Sequence, residues 1–215
     1  MFNGKCSMFE LPKLILASGS PRRAEILTAV GWQFLKEVAD ADETEFSGEK
    51  PEDYVQRLAK TKAETVAANH RNALILGADT IVVINNQIIG KPKDFEDARR
   101  MLRMLSGNWH EVLTGVALMR KDEDKGRKRK EETDSQSAIR NPQSAVDYQK
   151  TRVKFAEMND AEIEFLVERG EPLDKAGAYA VQAQAALFIE EIRGDYWNVV
   201  GLPVNLVYKL MKNLK

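Results

Sequence analysis

Several polar side chains in this 215-residue sequence stand where element-forming patterns would not put them: Ser18, Ser20, Arg22, Arg23, Glu43, Lys62, Asp79, Lys91, Lys175 and Gln182. The chemistry they support together is narrow. Arginines and lysines neutralise a polyphosphate, carboxylates hold Mg²⁺ or Mn²⁺, and a carboxylate can orient a water molecule. The densest group is Ser18-Gly19-Ser20-Pro21-Arg22-Arg23, which follows the apolar run Leu14–Ala17 and precedes Ala24, Leu27 and Val30. Spacing of three reads as one helix face, with Ser20 as N-cap and Pro21 at the first helical position. A helix N-terminus offers unpaired N–H groups and partial positive charge to an anion, here phosphate. Taken alone, the same residues also describe a plain strand–turn–helix with two solvated arginines.

The remaining polar residues carry their own alternatives. Asp79 interrupts a nearly unbroken apolar run, Ala73–Ile84, that reads as a central strand buried on both faces. A buried carboxylate must be paired, protonated or bound to a cation, unless it serves as a turn or capping aspartate. Lys62 falls on the apolar stripe Val55, Leu58, Ala59 and Val66 of a helix running from Pro51 to about Asn69. Its ammonium either snorkels to water, the usual outcome, or enters a polar cleft. Asn85-Asn86 makes a tight hairpin that returns Lys91 towards Asp79. Glu43 lies in the acidic stretch Phe34–Phe46, which by itself reads as a solvated loop. Glu171–Gln182 is full of small residues, so backbone there can approach a ligand closely.

The elements that must position these groups follow an α/β pattern. Asp94 caps a helix whose buried face is Ala98, Met101, Leu102 and Leu105, ended by Gly107, and Trp109–Met119 is a strand. Thr151–Phe155 alternates as a strand, and Asn159 with Glu162 opens a helix closed by Gly170. Leu187–Ile189 with Ile192 suggests another strand, and Tyr196–Gly201 loops into Pro203 at the first turn of a final helix. Between them, Lys121–Asp147 has mixed charge and few large apolar residues, and reads as an exposed, mobile insertion. Its basic cluster, Lys125 with Arg127 to Lys130, is flanked by acids and reads as solvated rather than as a nucleic-acid patch.

Composition narrows the classes further. Lys+Arg of 32 against Asp+Glu of 33 leaves a net charge of −1, which argues against a protein that coats nucleic acid. One cysteine, Cys6, excludes a disulfide framework or a thiolate metal site, and two histidines, His70 and His110, leave metal binding to carboxylates. No apolar run approaches the ~20 residues that span a bilayer, and no long apolar signal core is present, so a cytoplasmic protein is expected. Residues 1–12 read as a tail, with Met8 an alternative start. No Gly-x-x-x-x-Gly-Lys-Ser/Thr loop or Gly-x-Ser-x-Gly elbow occurs.

Six motifs in order carry a resemblance: Ser-Gly-Ser-Pro-Arg-Arg, Gly-Ala-Asp-Thr, Gly-Lys-Pro, Leu-Ser-Gly followed by Thr-Gly-Val, Asp-Lys-Ala-Gly-Ala-Tyr, and Asn-Val-Val-Gly-Leu-Pro. From about Leu14 to Leu214 the chain resembles the Maf family of nucleoside triphosphate pyrophosphatases, with the tail and the insertion outside. The resemblance implies an ITPase-like (Maf/Ham1-type) α/β fold over 13–215, a mixed sheet with flanking helices and two lobes around a central cleft. It implies hydrolysis of a nucleoside triphosphate to the monophosphate and pyrophosphate, with a divalent metal (Mg²⁺ or Mn²⁺), in the cytoplasm, often by a homodimer. It places the polyphosphate loop at Ser18, Ser20, Arg22 and Arg23, functional charges at Glu43, Lys62 and Lys91, and the proton acceptor at Asp79. Asp79 as base or, with Glu43, as metal ligand stays open. Nucleotide choice falls to Arg22 or Arg23, Thr80 and Gln182, and Lys175 joins the substrate-binding set.

The late loop, with its Asp-Lys-Ala-Gly-Ala-Tyr motif, is similar to the subgroup preferring dTTP and UTP over 7-methyl-GTP. That subgroup has Gly-Ile-Gln-Gly where this chain has Ala180-Val181-Gln182-Ala183, two extra methyl groups that would tighten the base pocket. The family name is also linked to arrest of septum formation, so the alternatives are a nucleotide-binding regulator of septum formation or the activity of the subgroup preferring 7-methyl-GTP. The presence of Asp79, Lys62 and Lys91 speaks against an inactive enzyme.

Overall fold

The computed structural model describes residues 11–120 and 143–214. The chain forms β1 (Leu14–Ala17), α1 (Pro21–Ala29), β2 (Phe34–Glu37), α2 (Pro51–Ala67), β3 (Leu74–Ile84), β4 (Gln87–Ile89), α3 (Phe95–Leu105) and β5 (Trp109–Arg120). It continues as β6 (Gln143–Phe155), α4 (Asp160–Arg169), β7 (Ile189–Arg193), α5 (Tyr196–Val200) and α6 (Val204–Asn213), with short 3₁₀ turns between α4 and β7. The strands make one mixed seven-stranded sheet in the order β2-β1-β3-β5-β6-β7, with β4 also on β3. β2, β1 and β3 run parallel; the other pairings are antiparallel.

The apolar run of β3 is unbroken because both faces of the strand are covered. Ile75, Ile81 and Val83 pack towards α2, while Leu76, Ala78, Val82 and Ile84 join the core built with α1, α3, α4 and α6. α2 lies almost in contact with the sheet backbone. A Cβ at Gly77 would stand 2.1 Å from the Ala59 carbonyl oxygen, and one at Gly115 would stand 2.1 Å from that of Val55. Only glycine at these two positions lets the helix approach this closely.

β3 changes partners along one edge. Leu74–Gly77 pair with β1 and Val82–Ile84 with β4, leaving Ala78–Ile81 without a strand there. An α/β sheet opens a crevice at such a point, beyond the carboxyl end of a strand. Asp79 and Thr80 sit in that gap.

Several elements depart from the sequence reading. Gln143–Asp147, assigned to the insertion, are the first part of β6 and pair with β5 from Arg120 to Val116. Their polar composition fits because Gln143 and Ser144 are exposed, so only the pairing identifies them. The rest of the expected insertion, including the cluster Lys125–Lys130, lies outside the described residues, as do Cys6, Met8 and most of the expected tail. The acidic stretch begins with a strand, β2, an edge strand too half-buried to show an apolar signal. In α1 the buried residues are Arg23, Ile26 and Leu27, whereas Val30 is exposed, so the inward face is rotated from the one expected. Leu187 and Phe188 lie in a 3₁₀ turn before β7, Tyr196–Val200 form a short helix, and Pro203 is the N-cap of α6 rather than part of its first turn. The hairpin is as expected, with Asn85 and Asn86 both at positive φ. So is the capping box at Asn159 and Glu162. Among the described residues, no helix is long and apolar enough to cross a membrane.

Candidate active site

A cavity of ≈ 480 Å³ opens at the β3 gap, and every side chain of the expected set lines it, from Ser18 in the first loop to Gln182 in the last. Its volume lies within the ~300–1,000 Å³ usual for small-molecule sites. Six segments converge there: the loop before α1 with that helix's first turn, the loop carrying Glu43, α2, β3 with the end of its hairpin, the 3₁₀ turns after α4, and the end of α5.

At its floor, Lys62 is 8% exposed and does not snorkel. Its Nζ lies 2.6 Å from Asp79 Oδ1 and 2.6 Å from Glu43 Oε1, one ammonium between two carboxylates. The common fate of a lysine on an apolar stripe is thus reversed. Gly77 lets α2 pack against β3 through Ala59 and Ala63, and Asp79, on the face of β3 that α2 covers, pairs with the ammonium. Asp79 is 7% exposed; the Glu43 side chain is about half exposed. Burial works against the Glu43 carboxylate, but the Lys62 hydrogen bond and the charges of Lys62, Lys91 and Arg23 hold it below the usual range. Lys91 is exposed at the rim. Tyr54, not anticipated from sequence, has its phenol pushed up to about 12, first by burial and then by Asp79 and Glu43.

On the opposite face of β3, Arg23 is a buried tie. It donates to the Gly201 carbonyl at 2.9 Å, the Ser18 hydroxyl at 2.9 Å, the Ala78 carbonyl at 2.8 Å and the Thr80 hydroxyl at 2.9 Å. Four of its five N–H groups are thereby used within the protein. Burial lowers its pKa, opposed by the nearby Asp79 charge. Thr80 also meets the Thr114 hydroxyl at 3.0 Å, and Thr114 donates to the Asn198 carbonyl. Ser20 occupies the N-cap position of α1, but its side chain makes no capping bond; its N–H donates to Ser18 Oγ instead. The half-buried Ser20 hydroxyl and the helix N-terminus therefore face the cavity.

Arg22 reaches across the mouth to Asp174, with Nη1 at 3.1 Å from Oδ2. Lys175, 7% exposed, shares the same carboxylate at 2.6 Å. Burial opposes ionisation of Asp174, and Lys175 and Arg22 more than offset it, so its pKa falls. This loop is anchored from beneath: His110 Nε2 and the Tyr179 hydroxyl are 2.8 Å apart, and both rings pack edge-on against Phe155. Burial pushes the His110 imidazole down to about 4 and the Tyr179 phenol up. Gln182 is exposed at the rim. Of the two methyl groups that distinguish Ala180-Val181-Gln182-Ala183, that of Ala180 lines the cavity, whereas Ala183 is not among its walls.

The donor set bears on metal binding. Among the described residues no three His, Cys, Asp or Glu side chains converge. Two carboxylates on one cavity wall still suit a hard cation of the Mg²⁺ kind, which takes one or two protein carboxylates and completes its shell with substrate phosphates and water. Tyr54, Arg57, Asp174 and Asn198 were missed from sequence. Asp174 stood next to Lys175 in a quoted motif, and Tyr54 is a hydroxyl-bearing aromatic on the stripe that carries Lys62. Asn198 opened the last of the six motifs, and Arg57 gave no local signal.

A family model described as "Maf-like protein" matches residues 13–214. Relatives named "dTTP/UTP pyrophosphatase" include one from Symbiobacterium thermophilum, 43% identical over 201 residues, covering 94% of this chain and 93% of that protein. Another, from Anaeromyxobacter dehalogenans, is 47% identical over 193 residues, covering 90% and 89%. The Staphylococcus aureus Ham1 protein aligns in structure at 14% identity with a TM-score of 0.49, covering 95% of this chain and 100% of that one.

Proposed function

The chain belongs to the Maf family, and on that premise we propose that it hydrolyses dTTP and UTP to the monophosphate and pyrophosphate. The observation that carries the reading is the Glu43–Lys62–Asp79 array on one wall of a nucleotide-sized cavity, facing a loop of hydroxyls and arginine at the α1 N-terminus. That is a site for a polyanion with a carboxylate beside it.

In this mechanism water attacks the α-phosphorus in line with the bridging oxygen to the β-phosphorus. Asp79 orients the water and takes its proton at a carboxylate oxygen; the new bond is O–Pα, and pyrophosphate departs with the bridging oxygen and its electrons. A positioned base contributes roughly 10²–10⁴-fold. Lys62, already 2.6 Å from Asp79, fixes that carboxylate and supplies positive charge to the oxygens on the α-phosphorus. Lys91 at the rim neutralises the leaving group. Arg22, the Ser20 hydroxyl and the α1 N-terminus hold the polyphosphate, and Arg22 exchanges Asp174 for phosphate oxygens. Arg23, with most of its donors committed, positions Ser18 and Thr80. Thr80, Gln182 and the Ala180 methyl set the fit of the base. In the alternative role of Asp79, that carboxylate and Glu43 would hold a divalent cation, which would neutralise charge on the polyphosphate.

The test is product analysis of purified protein with dTTP, UTP, CTP, GTP and 7-methyl-GTP, with Mg²⁺ or Mn²⁺, alongside Asp79→Asn. Monophosphate and pyrophosphate from dTTP and UTP, reduced about 10²–10⁴-fold in the variant, are expected. Inorganic phosphate with diphosphate would refute the reading.

A further inference from the structure

Glu43 belongs to an irregular loop, yet its carboxylate is held at 2.6 Å from Lys62. The loop has its own local closure. Asp42 Oδ1 accepts from the Thr44 N–H at 2.9 Å and hydroxyl at 2.6 Å, and the Glu49 N–H donates to the Phe46 carbonyl at 3.0 Å. Such turns shape a loop without fixing where it docks. Docking comes from two side chains of α2, three residues apart and so on one flank of the helix. The Tyr54 hydroxyl donates to the Glu43 carbonyl at 2.8 Å. Arg57 Nη2 donates to the next carbonyl, that of Thr44, at 3.0 Å. The same guanidinium binds both oxygens of Glu49, at 2.6 and 2.7 Å, and lies 3.9 Å over the Phe46 ring. Two consecutive carbonyls, one carboxylate and one ring are therefore gripped by the helix that also carries Lys62.

We propose that Tyr54 and Arg57 are positioning residues for Glu43, fixing its loop on α2 so that Glu43 and Asp79 flank Lys62. Nothing in the reaction requires either residue to touch substrate. Their effect passes through the Glu43 and Thr44 backbone. α2 thus places both the central ammonium and, at second hand, one of its two carboxylates. The kinetic part of the proposal rests on the pyrophosphatase reading above; the docking part does not.

The test combines Arg57→Lys, Arg57→Ala and Tyr54→Phe with Glu43→Gln. Lysine keeps the charge opposite Glu49 but cannot supply the planar fork that serves Glu49 and Thr44 together. A displacement near 1 Å costs on the order of 10²-fold, so Arg57→Lys is expected to lower kcat by about 10- to 100-fold with a smaller change in KM. In the Glu43→Gln background the same substitution should cost less than about threefold, because residues acting through one group are not additive. Equal losses in both backgrounds would overturn the proposal. Hydrogen exchange across residues 40–49 is the second readout. Exchange there at least about tenfold faster in Arg57→Lys, with β3 unchanged, is expected. Unchanged exchange overturns the docking claim whatever the substrate. If the wild-type protein releases no monophosphate, the pyrophosphatase reading fails, and the exchange experiment still decides the docking.

Discussion

Gly77→Ala probes how the helix and the sheet together build the site. Gly77 pairs with Ala17 and Ala117, two residues before Asp79. An added Cβ would lie 2.1 Å from the Ala59 carbonyl oxygen, 2.8 Å from the Ala63 nitrogen and 3.0 Å from its Cβ. The two shortest contacts are backbone, so no rotamer change relieves them. Restoring ordinary contact near 3.4 Å requires a shift of about 1.3 Å between α2 and β3 at the turn that carries Lys62. The 2.6 Å Lys62–Asp79 contact is stretched or sheared by a similar amount. Overpacking of this kind costs about 1–3 kcal/mol, and a misplacement near 1 Å costs on the order of 10²-fold in rate. For a domain of this size the stability loss lowers Tm by roughly 2–12 °C. The assay compares kcat at 25 °C and Tm for wild type, Gly77→Ala and Leu105→Val, a core change in α3 away from the cavity. Leu105→Val should lower Tm with kcat nearly intact, whereas Gly77→Ala should lower both. A Gly77→Ala protein with kcat within threefold of wild type and an unchanged Tm would refute the packing argument.

Further outcomes follow from the same geometry. Lys62→Met leaves two carboxylates without their shared cation and should cost roughly 3–5 kcal/mol near neutral pH; urea denaturation should show a smaller loss in the Asp79→Asn background. Arg23→Lys strands acceptors at Gly201, Ala78 and Thr80 and should cost roughly 2–4 kcal/mol by the same method, since an ammonium cannot reproduce the guanidinium fork. His110 has a folded pKa of about 4 against an ordinary 6.5, so the unfolded chain binds the extra proton between those values. Stability should therefore fall as pH drops from about 6.5 towards 4, by roughly 3 kcal/mol, and His110→Phe should flatten that slope in denaturation curves.

The residues that line the cavity were more legible in the sequence than the architecture that brings them together. Ser18–Arg23, Asp79 and Lys91 each broke a local rule, and polar residues that break a pattern are visible in one dimension. The fate of Lys62 was not, because snorkelling or burial is decided by what faces the stem, and that depends on Gly77 and Gly115 bringing α2 onto the sheet. Arg23 was equally hidden: as a cation beside a phosphate-binding loop it reads as a ligand, and only the fold brings the Gly201 and Ala78 carbonyls to it. β2 and the first half of β6 were missed because half-buried, polar strands owe their existence to pairing rather than to apolar alternation. Tyr54 and Arg57 act on a loop more than ten residues away in sequence, a separation no local pattern reports.

The central claim is that water attacks the α-phosphorus beside Asp79. Attack at either the α- or the β-phosphorus gives monophosphate and pyrophosphate, so the position of the new oxygen separates them. Turnover of dTTP in heavy-oxygen water, followed by mass spectrometry of both products, is the direct measurement. Label in the thymidine monophosphate, with turnover strongly reduced in Asp79→Asn, is the expected result. Label in the pyrophosphate would contradict it.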